Sequence, residues 1–140
     1  MAELSEAVVD FLSTGTRTGM LGYVAADGRP LVAPVWFVVD EGQLVFNTGR
    51  GSAKGRALGR DSRVVICVDD PHPPYSFVQV QGIASVQDGA EDLLDIATRI
   101  GGRYMGAHRA TEFGRRNAVS GELVVRVRPT KVNSAFNIAD

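Results

Sequence analysis

Residues 31–58 read LVAPVWFVVDEGQLVFNTGRGSAKGRAL, and this stretch decides the fold. Leu31 to Val39 is almost wholly apolar and rich in β-branched residues, which predicts one strand buried on both faces. Asp40-Glu41-Gly42 supplies turn chemistry, and Gln43 to Thr48 returns as a second strand. The character then changes at Asn47, Thr48, Gly49, Arg50, Gly51, Ser52, Ala53 and Lys54. Small residues let a ligand approach the backbone, Ser52 suits a helix cap, and Lys54 falls in the first turn that follows. A helix start offers free N–H groups and partial positive charge, so the stretch reads as an anion-binding corner beside an apolar strand.

Working outward, Leu4, Ala7, Val8, Phe11 and Leu12 recur at helical spacing, predicting a short amphipathic helix over 4–13 stopped by Gly15. Thr18 to Ala26 reads as a strand, and Asp27-Gly28 as the hairpin turn into the long strand. The Ser52 helix is expected to end near Gly59 or Arg60, followed by a buried strand at Val64 to Val68. The prolines of Asp70 to Pro74 exclude regular structure there. Ser76 to Gln87 alternates, with Phe77, Gln79 and Gln81 on one side and Val78, Val80 and Ile83 on the other, a bulge at Gly82 shifting the pattern. Leu93 to Ile100 predicts a helix ended by Gly101-Gly102, with a further short helix over 109–116. Glu122 to Val127 closes the series as a strand, with Lys131 to Ile138 as strand or tail. The expectation is a mainly β domain over 1–140 with flanking helices, about six antiparallel strands forming a closed or split barrel.

Composition narrows the function classes. At 140 residues the chain is long enough for one real core, and 44% hydrophobic with 22% charged residues is ordinary for a globular protein. A net charge of −1 points to neither nucleic acid nor a membrane surface. A single cysteine, Cys67, allows no internal disulfide and fits a reducing cytoplasm. No apolar run approaches the ~18 residues of a membrane-spanning helix. The acidic start MAELSEAVVDFL lacks the basic region of a secretory signal, so a cytoplasmic protein is expected.

Each candidate site has a plainer reading beside it. Arg50, Lys54, Arg56, Arg60 and Arg63 form a dense basic cluster opposed only by Asp61; it is either a solvated helix face or the wall of the anion corner. Ala53-Lys54-Gly55 does not match a Walker phosphate loop, and no GxGxxG fingerprint is present, which disfavours a nucleotide triphosphatase. Pro34 cannot donate to a ladder, so its strand is an edge or is interrupted there, leaving backbone groups for a planar heterocycle or for a dimer seam. Trp36, the only tryptophan, suits core, subunit interface or contact with an aromatic ligand. His72 and His108 are isolated, which argues against a metal, and Cys67 reads as packing. No nucleophile–base constellation is visible, a pattern that suits a protein whose bound cofactor carries the chemistry.

Gly19-Met20-Leu21, DGRP at 27–30, APVWFVVD at 33–40, LVFNTG at 44–49, SAKGRAL at 52–58 and VQVQGIASV at 78–86 occur in the order and spacing of the pyridoxamine-phosphate-oxidase-like split β-barrels. The chain most resembles the small actinobacterial flavin/deazaflavin oxidoreductases that use coenzyme F420. This resemblance implies that Val32, Ala33, Pro34, Val35, Trp36 and Phe37 line the ring, with backbone groups on its pyrimidine edge. It implies that Asn47, Thr48, Gly49, Ser52, Ala53 and Lys54 hold the cofactor phosphate, with Arg50 and Arg56 toward the acidic tail of the deazaflavin. It further implies a homodimer with sites at the subunit interface and a small-molecule substrate. Where the flavin-using pyridoxamine phosphate oxidases carry a basic residue at each end of that strand, this chain is apolar, which favours a deazaflavin over a pyridoxal-phosphate-forming enzyme. The expected activity is hydride transfer from reduced F420 to an unsaturated or quinone-like substrate. The alternatives are an FMN-binding flavin reductase or oxidase and a non-catalytic module that carries a cofactor or haem. Single-stranded nucleic acid is disfavoured because no aromatics interleave the cluster Arg50 to Arg63. The segment Gly101 to Ser120, with Arg103, Tyr104 and Met105, is expected to border the open side of the site.

Overall fold

The computed structural model describes residues 2–140. The chain runs α1 (Glu6–Ser13), β1 (Gly19–Val24), β2 (Pro30–Val35), β3 (Val38–Asp40), β4 (Gln43–Gly49), α2 (Ala53–Arg60), β5 (Arg63–Asp70), β6 (Ser76–Asp88), α3 (Leu93–Met105), α4 (Ala110–Asn117) and β7 (Glu122–Ala135). A single 3₁₀ turn, Ala107–Arg109, joins the last two helices. The seven strands make one sheet in the order β2-β1-β5-β6-β7-β4-β3, antiparallel throughout. Its two edges, β2 and β3, are neighbours in the chain, separated only by Trp36 and Phe37. The sheet therefore curls until its edges meet at these two residues without pairing: a split barrel whose seam the chain itself crosses.

Alternation fills the barrel. Leu21, Phe37, Phe46, Ile66, Val80 and Val125 point inward and are completely or almost completely buried, joined by Phe11 and Leu12 of α1 and Leu58 of α2. A second, smaller core lies outside the sheet, where Ile96 and Ile100 of α3 pack on Val38, Val45 and Val124 of β3, β4 and β7. The salt-bridged Asp40, held by Arg99 at 2.9 Å and Arg126 at 3.0 Å, ties α3 to the same strands. The outer face of β2, β1, β5 and β6 has no such helix over it, and Val32 is 66% and Met20 41% exposed there.

Four sequence expectations need correction. The predicted strand Leu31–Val39 is two strands, which makes the count seven, and it is not buried on both faces: Val32, Pro34 and Trp36 face out while Val35 and Phe37 enter the core. An apolar run carries no mark of the bend that closes a barrel. Gly101-Gly102 does not end α3, which continues to Met105. These glycines permit helix contact instead: a Cβ on Gly101 would lie 2.6 Å from the Phe113 Cβ of α4. The bulge near Gly82 puts its extra residue, Thr130, on β7, so the alternation of β6 is unbroken and Ile83 stays with Gln79 and Gln81 on the outer face. Finally, Glu122 to Val127 and the segment after Pro129 are one continuous strand, β7, because that bulge lets it pass the proline.

Pro34 sits on an edge strand opposite Met20, with its donor-less nitrogen at no disadvantage. Ser52 caps α2 and α2 ends at Arg60, as the sequence indicates.

Candidate functional site

The corner between β4 and α2 is assembled by short-range bonds around Ser52 and by longer-range ones to the start of β7. The Ser52 side chain accepts from Gly55 N at 3.0 Å, donates to Gly49 O at 2.8 Å and lies 3.0 Å from the hydroxyl of buried Thr48. A residue larger than glycine cannot stand at 55, where a Cβ would meet Gly49 O at 2.4 Å. Asn47 donates to Glu122 at 2.7 Å. Thus Asn47, Thr48, Gly49 and Ser52 shape the corner by bonding within the chain, and the groups left to meet a ligand are the first-turn N–H groups of Ala53 and Lys54 and the Lys54 ammonium.

Charges around the corner are unevenly committed. Arg50 pairs with Asp88 at 2.5 Å, and Arg63 pairs with Asp61 at 2.7 Å, pulling that carboxyl to about 2. Arg56 donates to Gly51 O at 2.8 Å and is otherwise exposed. Lys54 is half-buried, and among the described residues it has no carboxylate or carbonyl partner. A half-buried cation with no counter-charge beside free N–H groups fits a phosphate.

The other half of the expected site is the strand at 32–37. Only one side of it can meet a ligand through side chains: Val32, Pro34 and Trp36 face outward, Ala33 is half-buried against the core, and Val35 and Phe37 lie inside the barrel. Val32 also lines a cavity of about 560 Å³ over the outer sheet face, where Arg63, Gln79 and Gln81 supply the polar groups. No residue of the corner lines that cavity.

At the seam the sequence indicated little. Tyr104 accepts a hydrogen bond from Phe37 N at 3.3 Å and donates to Arg17 O at 2.8 Å, and its ring stacks on Trp36 at 4.8 Å, tilted by only 2°. Burial pushes the Tyr104 phenol up, keeping it protonated as the donor this arrangement needs. Arg103 donates to Phe37 O at 2.7 Å, Leu12 O at 2.6 Å and Gly15 O at 3.0 Å. Met105 follows at the end of α3 with no comparable contact described. The segment from Gly101 thus packs on the seam through its first residues, while the rest forms α4. No hydrogen-bond or stacking partner of the Tyr104 phenol and ring is near it in sequence, so only its place in the last turn of α3 hinted at a role.

Both histidines are exposed, and His72 bonds Asp70 at 2.8 Å. Among the described residues no group of three or more His, Cys, Asp or Glu side chains could hold a metal ion. No helix is long and apolar enough to cross a membrane.

Comparison with known proteins places this geometry. A conserved hypothetical protein of Mycobacterium tuberculosis, Rv2991, superposes with a TM-score of 0.82 at 25% identity, over 98% of this chain and 89% of that one. A protein described as an F420 reductase superposes at 0.70 with 23% identity, over 89% and 94%. HutZ, a haem storage protein of Vibrio cholerae, superposes at 0.73 with 16% identity, over 99% and 100%. No curated protein matches the chain in sequence. The family model for pyridoxamine 5'-phosphate oxidase matches residues 4–135, and the chain, a split barrel, belongs to that family.

Proposed function

We propose that this protein is an F420-dependent oxidoreductase that transfers a hydride between the reduced deazaflavin and an unsaturated or quinone-like organic molecule. The observation that carries the reading is the β4–α2 corner, where half-buried Lys54 and the first-turn N–H groups await an anion. Lys54 and the N–H groups of Ala53 and Lys54 hold the cofactor phosphate, and exposed Arg56, two residues further on, serves the acidic tail. Backbone groups of the edge strand β2 meet the ring, whose role when bound is to supply the hydride. The apolar ends of that strand favour a deazaflavin, and an F420 reductase of this fold supports the same choice. The protein's own residues orient the ring, keep the slot apolar and leave the completing proton to solvent. FMN is the second reading, because the corner serves either phosphate.

The uncovered outer face of β2, β1, β5 and β6 supports a homodimer, in which the strand half of one site meets the corner half contributed by the partner. The reading further places the protein in the cytoplasm, where Cys67 remains a thiol.

The test is a titration of the purified protein with F420 and with FMN, followed by ligand absorbance and by Trp36 emission. Saturable F420 binding with much weaker FMN binding is expected. The change Lys54→Ala weakens F420 binding on the order of ten- to a hundredfold, the worth of a charge-assisted hydrogen bond. Preference for FMN moves the protein to the flavin reading, and no binding of either removes both.

A further inference from the structure

We propose that Tyr104 is a positioning residue that holds Trp36 as a stacking platform, and that the outer face of the indole receives the planar, electron-poor ring of the substrate. The word substrate rests on the reading above; the platform rests on the seam alone. The chain has to cross from one sheet edge to the other at Trp36 and Phe37, where no ladder pairs the backbone. Both polar groups of Phe37 are instead taken by two adjacent residues of the last turn of α3: its N–H by the Tyr104 oxygen, its carbonyl by Arg103. Since the phenol accepts at Phe37 and donates at Arg17, neither its position nor its plane is free. The Arg103 guanidinium, 4.9 Å from the Tyr104 ring and 4.8 Å from that of Phe37, braces it further.

The indole inherits that order. It lies parallel to the Tyr104 ring at an offset-stacking distance, yet Trp36 is 41% exposed. Among the described residues Tyr104 is the only aromatic ring on it, and no guanidinium covers it. A large apolar side chain that is both exposed and fixed in plane is arranged to meet something flat. The nearby cations are committed, Arg103 to three carbonyls and Arg17 to Phe11 O and Asp70, so the surface selects by stacking rather than by charge. Indole is electron-rich, and an electron-poor conjugated ring is its best partner.

Trp36 is the only tryptophan, so with the emission of the F420-loaded protein as baseline any further quenching reports on what reaches the platform. The F420-loaded protein is titrated with menadione, a planar naphthoquinone, and with cyclohexenone, which is unsaturated but has no aromatic ring. Menadione quenches Trp36 saturably and cyclohexenone does not. Tyr104→Leu weakens menadione binding at least tenfold, Tyr104→Phe retains most of it by keeping the stack, and F420 binding, read by its own absorbance, is unchanged in both. In turnover the KM for menadione rises in Tyr104→Leu while kcat holds. If Tyr104→Leu lowers the melting temperature but leaves menadione affinity intact, Tyr104 is only structural and the proposal falls. If Tyr104→Leu does not fold, Trp36→Leu, followed by menadione absorbance in equilibrium dialysis, gives the same decision. Trp36 emission that is blue-shifted and protected from acrylamide without ligand means a second copy covers the indole, which also overturns the platform. Binding of F420 without quenching by menadione removes the platform and leaves the oxidoreductase reading; quenching by menadione without binding of F420 or FMN does the reverse.

Discussion

The bonds that set Ser52 and Arg56 at the corner span three to five residues, whereas those that set Trp36 and Phe37 at the seam span 66 and more. The Ser52 cap is a local device, joining a strand end to a helix start, although Asn47 and Arg50 at the same corner also reach Glu122 and Asp88. The seam exists only once α1, β1, β2 and α3 have all arrived, since Arg103 gathers carbonyls from residues 12, 15 and 37. One region can therefore be altered with little consequence beyond it, while damage to the other spreads through the barrel.

The strongest way to break the seam is Phe37→Ala, which empties a fully buried ring position and is expected to destabilise the fold by about 3–5 kcal/mol in urea denaturation. Next comes Arg103→Ala, which leaves three carbonyls without their charged donor and costs about 2–4 kcal/mol, with Arg103→Lys recovering part of it. At the corner, Ser52→Ala removes one helix cap and costs about 1 kcal/mol; a loss as large as that of Arg103→Ala would erase the contrast. Acid sharpens the contrast further. Hydrogen bonds from Arg126 and then Arg99 hold the Asp40 carboxyl below its ordinary value of 3.8. A depressed folded value contributes stability above about pH 3.8 that is lost as pH falls through it. Asp40→Asn should flatten the acid limb of the stability–pH curve, while Lys54→Ala should change neither that curve nor the melting temperature, acting on F420 affinity alone.

This division also explains what could be read in advance. Ser52, Lys54 and the turns at Asp27-Gly28 and Glu41-Gly42 were legible because their chemistry acts on residues within one turn of themselves. The barrel was legible from strand number and hairpin turns. The bend at Trp36-Phe37 was not, since its backbone partners come from α3 and the apolar run 31–39 looks the same straight or bent. Gly101-Gly102 looks like a helix stop, and only the approach of Phe113 shows it to be a contact surface. Ile83 was assigned to the wrong face because the extra residue of the bulge, Thr130, is on the partner strand. The basic cluster was visible as a group, but the pairing of Arg50 with Asp88 depends on a residue 38 positions away. Lys54 and Arg60 are both left without a carboxylate partner among the described residues, and of the two only Lys54 is half-buried and in the first turn of α2.

The split itself has a consequence for how copies of this chain meet. An open sheet presents two rows of unpaired backbone groups, the usual invitation to strand-by-strand aggregation. Here one row belongs to β3, only three residues long, and the other to β2, which begins with Pro30 and carries Pro34. Because the two are tethered by Trp36 and Phe37, neither can swing away to pair with a neighbour. Growth of the sheet by edge addition is thus hindered at both ends.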